Sequence, residues 1–298
     1  MENTKKWTEF FLNWLIKISG YSAIIFVVLI FYFLLRAGLP TISEVSIKNL
    51  LSTRWYPIED YFGILPLIGG TIIVTIGAAI FAIPIGLCTA IYISEVSPRW
   101  ARNILKPLVE ALGGIPSVVL GFLGILILAP YLRKILNLPT GLSALAGSIL
   151  LAGIALPTIV SVAEDALDSV PRSYRDGALA LGATEWQTIW RVTLPAARSG
   201  VLTAIMLGIG RAIGETMAVM MVSGNAAVVP IKLNSLFHPV RTMTATIAAE
   251  MGEVAKNSTH YHVLFFIGIL LFIISLGINI IASTAMFKQR KRAERILS

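Results

Sequence analysis

Cysteine occurs once in this chain, at Cys88 inside an apolar stretch, so no intrachain disulfide can form. A thiol in such surroundings is normally inert. Charge is scarce as well: Asp, Glu, Lys and Arg make up 13% of the 298 residues, against about 25% in a soluble domain. With 56% hydrophobic residues and a mean hydropathy of +0.81, the chain requires an apolar solvent. No Gly-Lys dipeptide occurs, which excludes a P-loop phosphate cradle. Neither HExxH nor CxxC is present. His260 and His262 flank Tyr261 and read as polar surface residues rather than metal ligands. No cofactor or metal is therefore expected in this chain. Low-complexity segments and short-period repeats are lacking too.

What the sequence does contain is long uncharged runs. A bilayer span needs about 20 apolar residues, and six candidates satisfy this, at 16–36, 66–93, 109–131, 141–163, 200–223 and 262–287. They predict an all-α polytopic membrane protein with one transmembrane domain over 1–298 and a peripheral first span. That first run lacks a small-x-small cleavage pattern and is read as retained. Pro66 and Pro84 predict that the second run begins with a non-spanning segment. With the N-terminus inside, the segments 1–15, 94–108, 164–199 and 288–298 carry fourteen Lys and Arg, against eight outside. This is the direction of the positive-inside rule, so both termini are expected in the cytoplasm. The net charge of +8 then reflects membrane topology and lipid contact rather than nucleic-acid binding. The C-terminal Lys-Gln-Arg-Lys-Arg reads as a stop-transfer anchor. On the outer side, the segment 224–261 is too apolar for a free loop and predicts a short helix near its small-residue run at 244–249.

The run from Glu164 to Ser199 is the longest polar stretch between spans on the inner face. It predicts two short helices. One follows Pro171 and ends near Gly182, a residue suited to the left-handed position past a helix end. The other begins with the capping-box pattern Thr184-Glu-Trp-Gln187 and stops before Pro195. Asp176-Gly177-Ala178, three residues, Gly182, nine residues, Val192, one residue, Leu194-Pro195 resembles the "EAA" loop of bacterial ABC-importer permeases. Asp, Gly and Val replace the usual Glu, first Ala and Ile, and the spacing is intact. In that family the loop inserts into a groove of a separate ATPase subunit, which assigns coupling to Asp176, Gly177, Ala178, Gly182, Leu194 and Pro195.

Span five carries Arg211 and Glu215. Its flanks predict a continuous helix, which would place the two charges on one face with Ala204, Leu207, Gly208 and Ala218. Ionisable residues within a span are costly and point at a cavity or a partner. The pair is either part of the wall of an anion path or a self-neutralising lock between helices. In a path, the guanidinium is a planar fork matched to a tetrahedral oxyanion. The carboxylate only accepts hydrogen bonds, which suits phosphate, an ion that keeps a proton near neutral pH, over sulfate.

Arg211-Ala-Ile-Gly-Glu-Thr-Met-Ala-Val219 is similar to the corresponding span of phosphate-specific ABC transporter permeases. Phe62-Gly-Ile-Leu-Pro66, Leu112-Gly-Gly-Ile-Pro-Ser-Val-Val119 and the stretch from Arg241 to Gly252 resemble the same family, so the likeness covers residues 60–290. Thr-Met-Ala-Val after Gly-Glu, with the Arg241 segment, favours the C-type permease over the A-type. The resemblance implies a type I (MetI-like) importer bundle with Arg211 and Glu215 on the substrate path. It also implies a paired A-type permease, two ATPase subunits that bind ATP and Mg, and an extracytoplasmic phosphate-binding protein. A permease of the same architecture for molybdate or sulfate is the alternative. A passive channel would have no use for the loop, and an intramembrane enzyme would need a nucleophile or metal set that Arg211 and Glu215 do not supply.

Overall fold

The computed structural model describes the backbone of residues 2–229 and 233–297, and the side-chain surroundings of residues 11–229, 234–280 and 284. Pro230 and Lys232 lie outside the described residues, as do the side chains of Lys5, Lys6 and the basic cluster from Lys288 to Arg295.

The described residues are mostly helical. α1 (Glu2–Gly38) is followed by two single turns, α2 (Thr41–Glu44) and α3 (Ile47–Leu50). A small antiparallel hairpin then pairs β1 (Trp55–Tyr56) with β2 (Tyr61–Phe62). α4 (Leu65–Ile91) runs into a π-turn at Tyr92–Val96, and α5 (Arg99–Gly113) stands apart from the span after it. That span joins α6 (Ser117–Leu123), a π-turn at Gly124–Leu128 and α7 (Ala129–Ile135). α8 (Ala144–Asp168) precedes α9 (Arg172–Ala180), and α10 (Glu185–Thr188) passes through a π-turn at Ile189–Thr193 into α11 (Leu194–Gly214). α12 (Met217–Val222), α13 (Met243–Glu250) and α14 (Thr259–Leu297) complete the order.

Among the described residues six helical stretches are long and apolar enough to cross a membrane: Phe11–Glu44, Leu65–Val96, Ser117–Ile135, Ala144–Asp168, Glu185–Gly214 and Thr259–Ile280. α8 is the axis. It starts at the Ser143 cap, whose Oγ accepts the Ala146 N–H, and packs on α4, α5 and α11. Small residues permit the close approach that lipid-embedded helices rely on. A Cβ at Gly86 would strike Ile159 from the α4 side, and one at Gly208 would strike it from the α11 side. Ala155, Ala163 and Ala204 are buried in the same seams. α1 is peripheral: none of its most apolar window is buried, and Phe31 packs tilted against Phe272 and Phe33 edge-to-face against Phe265 of α14, at centroid distances of 4.9 and 5.5 Å.

Four sequence expectations need correction. α4 does not start with a separate segment, because Pro66 sits in the first turn, where no N–H is required. Pro84 is simply accommodated within the helix. The third span does not begin at 109: α5 ends at Gly113, and Pro116, in extended conformation, restarts the chain at Ser117. The helix after Thr184 does not stop before Pro195. The Leu194 N–H bonds back five residues to the Ile189 carbonyl, and this extra residue per turn lets the helix pass the proline. Finally, span five is not one helix. It breaks after Gly214, with Glu215 extended at ψ 132°.

Candidate translocation and coupling sites

Arg211 lies in the last turn of α11, beside the break. Its Nη1 donates to Thr158 Oγ1 of α8 at 3.1 Å, and Nη2 reaches the carbonyl of Gly113, the last residue of α5, at 3.5 Å. The head group thus ties α11 to α8 and α5 while the residue stays exposed, in a row with Leu207 and Gly214. Leu207 is 50% exposed. Ala204 and Gly208, expected on the same face, are instead buried against α8.

Glu215 does not face Arg211 from the next turn, and no Arg211–Glu215 ion pair exists among the described residues. Its Oε1 accepts the N–H groups of Thr216 at 3.1 Å and Ala218 at 3.3 Å. These are free donors at the start of α12, and an anion there also meets the positive end of the helix dipole. The carboxylate therefore helps to end one helix and begin the next, a role that spacing alone did not reveal. Gly214, a poor helix former, stands just before it. The Glu215 carbonyl accepts the Thr244 hydroxyl at 3.0 Å, so the break is tied to α13.

α13 is the short helix expected within 224–261. Thr242 caps it by accepting the Ala245 N–H. Glu250 closes its far end with bonds from Arg241 Nη1 at 2.6 Å, Trp55 Nε1 at 3.1 Å and His260 Nε2 at 2.9 Å. Burial alone would raise the Glu250 carboxyl, but the His260 and Trp55 hydrogen bonds and the Arg241 charge outweigh it and hold the group below the usual carboxylate range. His260 thus serves this knot, and His262 Nδ1 bonds the Ala37 carbonyl of α1 at 2.7 Å.

At the other end of the bundle, residues 172–194 form a knob. The Ala183 N–H reaches back to the Ala178 carbonyl at 3.1 Å, in the manner of a Schellman turn. Gly182 has φ +83°, as the sequence led us to expect. Thr184 and Gln187 form a complete capping box. Asp176 and Gly177 are exposed and Ala178 is half-buried. Leu194 is half-buried, and Pro195 opens α11. Leu181 at the tip is 91% exposed, with Trp186 at 60% and Trp190 at 48%. So much apolar surface at a polar end calls for a partner.

Sequence reasoning missed an ion lattice beside this knob. Glu164, only 1% exposed, accepts from Arg102 Nη2 at 2.6 Å and Lys106 Nζ at 2.5 Å. Lys106 also meets Asp165 at 3.0 Å. Arg102 bonds Asp168, whose other oxygen accepts the Ser94 hydroxyl at 2.8 Å. The Glu164 hydrogen bond, opposed by burial, holds the Lys106 ammonium above its ordinary value. Arg175 pairs with Glu95. The available signal was the matched i, i+4 spacing of Arg102 with Lys106 and of Glu164 with Asp168.

Comparison with known proteins agrees with this architecture. The family described as "Binding-protein-dependent transport system inner membrane component" matches residues 82–293. A probable ABC transporter permease protein YqgH of Bacillus subtilis is 42% identical over 77% of this chain and 74% of that protein. The phosphate transport system permease protein PstC of Mesorhizobium japonicum is 36% identical over 81% of this chain and 78% of its own length. PstC of Haemophilus influenzae is 30% identical over 97% and 98%. Among solved structures, the inward-facing MetNI methionine ABC transporter aligns at a TM-score of 0.58, with 21% identity over 74% of this chain and 93% of that one. A bacterial alginate ABC transporter aligns at 0.64, with 17% identity over 93% and 95%. Both identities are low and speak for the fold alone. The six-span helical bundle, the knob between spans four and five and the match over 82–293 agree: the chain belongs to the binding-protein-dependent transport system inner membrane components, the membrane-spanning permease subunits of ABC importers.

Proposed function

We propose that this permease carries inorganic phosphate across the cytoplasmic membrane, as the C-type partner of an A-type permease. Residues 172–194 face the cytoplasm and dock on a separate ATPase, which holds ATP and Mg, and both termini lie on that side. An extracytoplasmic phosphate-binding protein delivers the ion. The observation that carries the reading is Arg211, a guanidinium held open at a helix break, in a chain whose relatives bear the phosphate transporter name. Its neighbours hold the fork from the sides, through a hydroxyl and a carbonyl that offer no opposing full charge. A passing oxyanion then finds a charged donor already oriented, and donor preorganisation lowers the cost of binding. Glu215 contributes an acceptor beside the path through Oε2, while Oε1 serves α12. An acceptor favours an anion that still carries a proton.

Uptake into proteoliposomes containing the full complex tests the substrate. Radiolabelled phosphate should accumulate when ATP is supplied on the knob side, and excess sulfate or molybdate should leave it unchanged. Competition by either ion at equal concentration would move the substrate to that oxyanion.

A further inference from the structure

We propose that Arg175 and Glu95 are a positioning pair that makes the coupling helix move as one body with the ends of spans two and four. The inference rests on the reading of 172–194 as the ATPase socket. Nε of Arg175 donates to Glu95 Oε2 at 3.0 Å, and Nη2 donates to Oε1 at 2.5 Å. The same guanidinium donates to the Val170 carbonyl at 2.8 Å and the Leu167 carbonyl at 3.0 Å. One side chain thus joins α9 to the π-turn that ends α4 and to the end of α8. Both partners are largely withdrawn from solvent, with side chains 20% and 7% exposed.

The role goes beyond ordinary surface pairing for two reasons. α9 buries none of its residues, so its hold on these two span ends comes from this clamp rather than from an apolar seam. The clamp also sits one residue before Asp176, at the start of the segment assigned to the ATPase. A bidentate fork between half-buried partners fixes orientation as well as distance. Push on α9 is therefore delivered to α4 and α8, in parallel with the continuous helix from α10 into α11. The adjoining lattice extends the link, since Ser94, next to Glu95, bonds Asp168 and Asp168 bonds Arg102 of α5. Without the clamp, the short connection from Ser169 to Pro171 would bend and absorb the displacement.

The test uses the complete transporter in proteoliposomes and reads phosphate moved per ATP hydrolysed. Arg175→Lys removes the fork, and Glu95→Gln removes the charge. Each should lower that ratio by about tenfold, the equivalent of one charge-assisted hydrogen bond. In parallel, a benzophenone placed on Leu181→Cys in a Cys88→Ser background is photo-crosslinked to the ATPase. The cross-link should form equally with and without the clamp substitutions. An unchanged ratio in both variants, with the cross-link retained, overturns the positioning role alone. If the cross-link forms in the parent but is lost in the variants, the pair builds the socket and does not transmit from it. No cross-link even in the parent overturns the socket reading, and the positioning role with it.

Discussion

Arg211→Ala is expected to cut phosphate uptake by about a hundredfold, the loss of two charge-assisted hydrogen bonds of about 1.5 kcal/mol each. The protein should still fold and assemble. Arg211 is exposed, and the two groups it touches, the Thr158 hydroxyl and the Gly113 carbonyl, are neutral. Removing it leaves no buried carboxylate without its counter-charge, which is the usual reason such a deletion unfolds a protein. Arg211→Lys is the informative companion. It keeps the charge but loses the fork, so it should retain part of the uptake while discriminating less between oxyanions. Uptake assays on both variants, with thermal unfolding in detergent as the control for folding, decide the matter. Full uptake by Arg211→Ala would remove this residue from the path.

Gly182→Pro is expected to leave the bundle intact and to lower phosphate moved per ATP by about tenfold or more. Gly182 has φ +83°, whereas proline is confined near φ −65°, so the elbow between α9 and α10 cannot keep its shape. The Gly182 N–H bond to the Leu179 carbonyl at 2.9 Å is lost as well. Crowding plays no part, because a Cβ at this position meets nothing within 4 Å. Gly182→Ala therefore isolates the backbone term: an L-residue in the left-handed region costs about 1–2 kcal/mol, and the effect should be correspondingly mild. The ratio of transport to hydrolysis distinguishes lost coupling from lost docking. If Gly182→Pro coupled as well as the parent, the elbow would not be a rigid coupling element.

The sequence made the six spans legible because hydrophobic length needs no tertiary information. The knob was legible for a different reason: Gly182, the Thr184 capping box and the EAA-like spacing are local devices, each working within four or five residues. What could not be read was set by distant partners or by competition between local bonds. The break after Gly214 depends on Glu215 satisfying α12 donors rather than presenting itself to Arg211, and a four-residue spacing is equally compatible with an intact helix. Passage through Pro195 depends on a π-turn that no propensity predicts. The ion lattice joins residues 58 to 80 positions apart, a separation that no local spacing pattern reveals. Of the predicted path residues, Arg211 stands exposed at a junction of three elements, while Glu215 combines a helix-starting duty with its place beside the break.

The most direct measurement is ATP hydrolysis by a complex reconstituted from this permease and the proposed A-type partner, ATPase pair and binding protein. Hydrolysis should rise when phosphate-loaded binding protein is added and stay at its basal rate with sulfate or molybdate, and Arg211→Ala should sever that stimulation from uptake. Stimulation by the other oxyanions but not by phosphate, or a rate indifferent to all three, would contradict a phosphate importer driven through residues 172–194.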